Sequence, residues 1–241
     1  MPAEAAKMAR LAGSVAVTVN GNTISTPVTG VLDLAGRNGT VQTVLGTKTF
    51  ETRFVGGVAY LDLSALVDVS KGTVGAVLLG SARWVRIDPA VLGLQGAQTA
   101  LSGTTDPSGQ IDVLRGITDA QPVGTEQVRG VTTTHYHGTV DVSTAVAKLP
   151  AKVRAKVQLA VAPFGATFPV DVWLDDGHLV RKFQITVAGT TTDSQSPQSV
   201  RDVAEFELYD FGVSVKVSAP AKDTVIDYSR FLSLVAAAQS K

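Results

Sequence analysis

The chain contains no cysteine among its 241 residues. Disulfide staples, zinc fingers, iron–sulfur clusters and thiol catalysis are therefore excluded. A surplus of one charge is also missing, because 21 basic residues balance 21 acidic ones. Nucleic-acid binders carry a basic excess or stripe, so no nucleic-acid partner is expected. No apolar run approaches the roughly 20 residues that a membrane helix needs. Residues 1–13 lack the apolar stretch of a signal peptide. The chain as it stands is expected to be soluble, with any targeting or anchoring segment outside it.

Catalytic patterns are equally scarce. There is no G-x-S-x-G, S-x-x-K or H-E-x-x-H, and no P-loop or G-x-G-x-x-G. No catalytic residue, metal or cofactor is expected. A hydrolase with an unrecognised Ser–His–Asp arrangement ranks last among the functional readings.

What is present is a series of short, alternating strands. Hydrophobic residues make up 44% and charged residues 17%, which argues against disorder. A chain of this length can bury roughly 70% of its unfolded surface without a staple. Residues 94–109 and 189–199 are rich in Gly, Ser and Thr but short enough to be loops. One domain over 1–241 is expected.

In residues 14–19, Val15, Val17 and Val19 fall on one face. Asn20-Gly21 follows, a pair suited to a type I′ hairpin turn. Asn38-Gly39, Gly56-Gly57 and Asp176-Gly177 read the same way. Further strands are expected over 30–34, 39–45, 47–55, 58–63, 83–88, 125–129, 131–142, 167–175, 179–188, 201–209 and 213–217, about eleven or twelve in all. Residues 2–12 look helical from their Ala, Glu and Lys content. Residues 63–79 could hold one or two short helices. Asp106-Pro107 is a good helix start, leading to Gly116 with Ile111 and Leu114 on one face. Pro150 opens another helix, with Val153 and Val157 at helical spacing. Residues 229–238 read as a closing helix. Strands interrupted by helices indicate an α+β fold with an antiparallel sheet.

Val123-Gly124-Thr125-Glu126, His135-Tyr136 and the segment joining them resemble a strand pair of the LppX/LprG-type lipoproteins of actinobacterial envelopes. Pro169-Val170-Asp171-Val172-Trp173 and Asp176-Gly177-His178-Leu179-Val180-Arg181-Lys182 are similar to that family's hairpin, and Asp210-Phe211-Gly212 with the stretch to Ala221 to its ending. Gly56-Gly57-Val58-Ala59-Tyr60 and Trp84-Val85-Arg86-Ile87-Asp88 match earlier strands of the same family. The family's lipobox cysteine is absent from this chain.

The resemblance, which also extends to LolA-type carriers, implies a single curved antiparallel sheet, open like a half-barrel, with several helices covering its concave face over an apolar cavity. It implies a non-enzymatic, monomeric carrier of a lipid or acylated glycolipid at the cell envelope. Such a carrier would sit at the outer face of the plasma membrane or be secreted, and its membrane attachment would need an anchor absent from this chain. Strand and helix facing nominate the cavity wall: Val15, Val17, Val19, Leu32, Phe54, Phe168, Val170, Val172, Phe183 and Ile185, with Ile111, Leu114, Val153 and Val157 from the helices. Arg181 and Lys182 are head-group candidates at a rim, or solvated strand residues. His135 and His137 share a strand face, a spacing that can hold zinc but also suits histidines flanking Tyr136 on a solvent-facing strand. Asp175-Asp176 reads as a turn former. The alternative to a carrier is an envelope module with a filled core that binds a protein.

Overall fold

The computed structural model describes residues 8–33, 37–65, 82–88, 114, 116–141, 143–144, 166–191, 197–214 and 216–239. The chain runs through β1 (Met8–Val19), β2 (Asn22–Asp33), β3 (Asn38–Leu45), β4 (Lys48–Val55), β5 (Val58–Asp62) and β6 (Trp84–Ile87). It continues with β7 (Gln121–Val128), β8 (Val131–Asp141), β9 (Thr167–Asp175), β10 (Val180–Thr191) and β11 (Gln198–Tyr209). A 3-10 turn at Lys222–Thr224, β12 (Val225–Asp227) and helix α1 (Tyr228–Gln239) close it. All twelve strands join one sheet in the order β12-β6-β5-β4-β3-β2-β1-β11-β10-β9-β8-β7. The sheet does not close, because β12 and β7 are its two edges. Every neighbouring pair is antiparallel except β12 with β6.

Local sequence explains most joints. Asn20 and Gly21 both take positive φ, 49° and 83°, as a type I′ turn demands. Gly56 and Gly57 do the same between β4 and β5. The Asp176-Gly177 joint is built differently. His178 takes the left-handed conformation at φ 58°, and Asp175 Oδ1 accepts from the Gly177 and Leu179 amides, both at 2.9 Å.

Several expectations are corrected. Asn38-Gly39 is no turn; it begins β3, and Arg37 before it holds the positive φ. Residues 2–12 are not a helix where they are described, because β1 starts at Met8. Its register runs unbroken against β2 from Met8↔Asp33 to Val19↔Asn22, and β11 covers its other side. Two hydrogen-bond ladders and the complete burial of Ala9 and Leu11 outweigh a modest helix propensity. Residues 213, 214, 216 and 217 are not strand; β1 already has both neighbours and offers no edge there.

β2 extends well ahead of the expected residue 30, through Pro27. That proline sits beyond the β2–β3 pairing, which begins at Val28↔Thr43, so its missing N–H leaves no ladder bond unmade on that side. β12 was also unforeseen. Of the several covering helices, the closing one is described along its length, and its Tyr228 and Phe231 pack against the core. Ser64 and Ala65 are helical, and the rest of the helical stretch expected over 63–79 lies almost wholly outside the described residues. The expected helix from Pro150 lies outside the described residues, as does most of the one expected over 106–116.

Candidate functional site

Strand alternation sorts the sheet into two chemically distinct faces. On β1 the odd residues Ala9, Leu11 and Val15 are fully buried. The register carries that face outward on both sides. Across β2 to β4 it takes in Val28, Leu32, Val41 and Phe54, and beyond them Ala59, Val85 and Ile87. Across β11 to β8 it takes in Ala204, Phe206, Leu208, Phe183, Ile185, Val187, Phe168, Val170, Val172 and Val140. These side chains form one continuous apolar cluster.

Eight nominated wall residues, Val15, Leu32, Phe54, Phe168, Val170, Val172, Phe183 and Ile185, lie together in it. Val17 and Leu114 are partly buried against it. Val19, half-buried, stands on the same face at the end of β1. Ile111, Val153 and Val157 lie outside the described residues. Sequence reading overlooked Leu11, Ala204, Phe206 and Leu208. The 204–206–208 alternation was a visible signal for three of them; Leu11 was masked by the helical reading.

Phe183 and Phe206 meet at the centre with ring centroids 5.5 Å apart, tilted by 40°. Gly13 pairs directly with Phe206. A Cβ on Gly13 would stand 2.7 Å from the Phe206 ring and clash harder still with the Glu205 carbonyl. The glycine is what lets β1 and β11 approach beneath that ring.

One acid interrupts the apolar face. The registers place Ile24, Val17, Asp202 and Val187 in one row across β2, β1, β11 and β10. Burial pushes the Asp202 carboxyl above its ordinary pKa, and its Oδ1 is buried without a hydrogen-bond partner. Towards the same end of the sheet the apolar face surfaces, with Ile24 at 70% and Leu45 at 49% exposure.

The opposite face is polar and aromatic. His135 and Trp173 stack with centroids 4.1 Å apart and planes 9° from parallel. Trp173 Nε1 donates to Glu126 Oε2 at 3.0 Å. Asp171 Oδ1 lies 2.9 Å from both His135 Nε2 and His137 Nδ1. His137 is exposed, but His135 is 13% exposed and lies under the indole, so only part of the solvent-facing expectation holds. Among the described residues no group of three or more His, Asp or Glu side chains is arranged to hold a metal ion.

The head-group candidates are engaged elsewhere. Arg181 Nε binds Asp175 Oδ2 at 2.6 Å and its guanidinium lies over Phe211. Lys182 Nζ sits 4.7 Å from the Trp173 ring and 3.0 Å from Glu205, on the polar face. An open pocket of about 410 Å³ lies elsewhere, lined by Met8, Asp33, Asn38, Lys216, Val217 and Ser218. It includes none of the nominated wall residues.

Residues 9–217 match the family model of LppX_LprAFG lipoproteins. An uncharacterized 31.2 kDa protein of Streptomyces griseus is 29% identical over 233 residues, covering 92% of this chain and 66% of that relative. The chain thus spans just under two thirds of that relative's length. Among solved structures, the lipoprotein LppX of Mycobacterium tuberculosis is 16% identical with a TM-score of 0.40, over 86% of this chain and 89% of that one. LprF of Mycobacterium bovis is 15% identical with a TM-score of 0.41, over 90% and 91%.

Proposed function

The chain belongs to the LppX_LprAFG lipoprotein family, and from that premise we propose that it is a non-enzymatic carrier that holds the acyl part of a lipid or acylated glycolipid. The observation that carries this reading is the single apolar cluster running from Ile87 to Val140 across the sheet. An open, twisted sheet of more than about ten strands tends to curl. Curling turns a continuous apolar face into the wall of a trough. Each buried methylene contributes about 0.8 kcal/mol, so a sixteen-carbon tail contributes on the order of 10 kcal/mol before losses. Ordering and association costs still leave useful affinity without any catalytic group.

On this reading Val15, Val17, Leu32, Phe54, Phe168, Val170, Val172, Phe183 and Ile185 contact the acyl chain, with Val19 near its exit. The protein acts as a monomer in the cell envelope, at the outer face of the plasma membrane, and moves its cargo between membranes. A second reading draws on the full burial of Phe183 and Phe206. It is a filled core whose polar face recognises a protein partner.

Native mass spectrometry of the protein expressed in an actinobacterial host separates the two. The carrier reading expects a co-purifying lipid, or uptake of a fluorescent fatty acid after delipidation. Protein that emerges lipid-free and takes up no probe overturns it.

A further inference from the structure

Asp202 has no structural reason to be an acid. Its cross-strand neighbours on the apolar face are Val17 and Val187. Its chain neighbours Arg201 and Val203 point to the other face by strand alternation. No hydrogen bond or ion pair of the described residues reaches it, and its Oδ1 is buried without a partner. A buried polar atom left unpaired costs free energy, and a valine here would pack with its neighbours at no such cost. The position is therefore explained if the partner arrives with a ligand.

Its place along the strands says which part of the ligand. Asp202 pairs with Val17, two residues from the end of β1, so it lies about 7 Å inside that end of the sheet. Level with it in the same row Ile24 is 70% exposed, and beyond it, toward the turn at Asn20-Gly21, stands the half-buried Val19. Inward from it lie Val15, Ala204 and Ile185 in the next row, with Thr26 at that row's β2 position, and Leu11, Phe206 and Phe183 deeper. An amphiphile laid along this face has its tail toward Phe183 and its first polar atoms level with Asp202.

We infer that Asp202 is the polar anchor for the ligand's head group. It recognises a hydrogen-bond donor, a hydroxyl or an amine, at the head of an acyl or alkyl chain that enters past Val19 and Ile24. This rests on the carrier reading and adds to it a specificity-determining residue and a direction of entry. Burial favours the neutral form of the carboxyl, and either form accepts a hydrogen bond from such a donor.

Displacement of a bound fluorescent fatty acid by hexadecanol, hexadecylamine and hexadecyl methyl ether tests it, because the three differ only in the head. Wild-type protein is expected to bind the alcohol or the amine about tenfold more tightly than the ether, the worth of one good hydrogen bond to a group that is otherwise unpaired. Asp202→Leu should abolish that preference while leaving the ether's affinity unchanged or raised, with a thermal melt showing the variant folded. Asp202→Asn distinguishes the two donors: a preference for alcohol survives it, and a preference for amine that depends on ion pairing does not. Equal affinity of the wild type for all three heads, or an undiminished preference in Asp202→Leu, overturns the anchor and leaves the carrier standing. If the wild type takes up neither probe nor any of the three compounds, the carrier reading falls and the anchor falls with it.

Discussion

His135 and Trp173 lie face to face across neighbouring strands, 4.1 Å between ring centroids, on the side of the sheet away from the apolar cluster. The register pairs them directly. Lys182 closes over the other side of the indole, and Glu126 accepts its N–H. Trp173 is 6% exposed, so this cluster works as a small second core. Trp173→Ala is expected to cost about 3–5 kcal/mol in urea unfolding, and Trp173→Phe less, since the stack survives. A loss below about 1 kcal/mol for the alanine variant would show that the stack is incidental.

Asp175 ties the β9–β10 hairpin. Burial raises its carboxyl, but the Leu179 amide, Arg181 and the Gly177 amide together hold it below its ordinary value of 3.8. A depressed folded pKa means the stabilisation is present above 3.8 and is lost as pH falls through the lower, folded value. Asp175→Asn should therefore destabilise by about 1.5–3 kcal/mol at neutral pH. The gap from wild type should narrow under strong acid in thermal melts. A gap independent of pH would assign the effect to turn shape alone.

Asp202 behaves in the opposite sense. Its folded pKa is raised above 3.8 by burial, so its effect favours folding in acid and is lost as pH rises through the folded value. Asp202→Asn removes the charge and is expected to stabilise the ligand-free protein at neutral pH by on the order of 1 kcal/mol. That advantage should disappear below 3.8. Destabilisation at neutral pH would mean that the carboxylate has a partner within the fold.

Gly13→Ala should cost about 1–3 kcal/mol, because its Cβ would drive into the Glu205 carbonyl and the Phe206 ring. The nearest obstacle is backbone, so adding Phe206→Leu should fail to rescue it. Full rescue in chemical denaturation would place the clash in the ring.

Legibility in the sequence followed the range of the physics involved. The facing of Phe168, Val170, Val172, Phe183 and Ile185 could be read because period-two alternation is local. The Asn20-Gly21 and Gly56-Gly57 turns could be read because positive φ restricts residue choice. Asn38-Gly39 misled because the positive φ falls one residue earlier, on Arg37, while Gly39 serves the close approach of β3 to Val31 and Leu32 of β2. The helical reading failed over residues 8–12, the described part of 2–12, because propensity is weak beside two flanking strands. Asp202 was passed over as an ordinary strand residue: the 204–206–208 alternation puts it on the apolar side, but only the pairing with Val17 and Val187 shows what surrounds it.

The sequence by itself determined that this is a strand-rich protein without a thiol, and it determined which side of most strands is apolar. Tertiary structure alone decided that β1 lies between β2 and β11, bringing Val17 beside Asp202. It also decided that His135 and Trp173 stack. Alternation along a strand is set by backbone geometry within a few residues. The choice of neighbouring strand is set by contacts between residues nearly two hundred positions apart, and no local pattern encodes it.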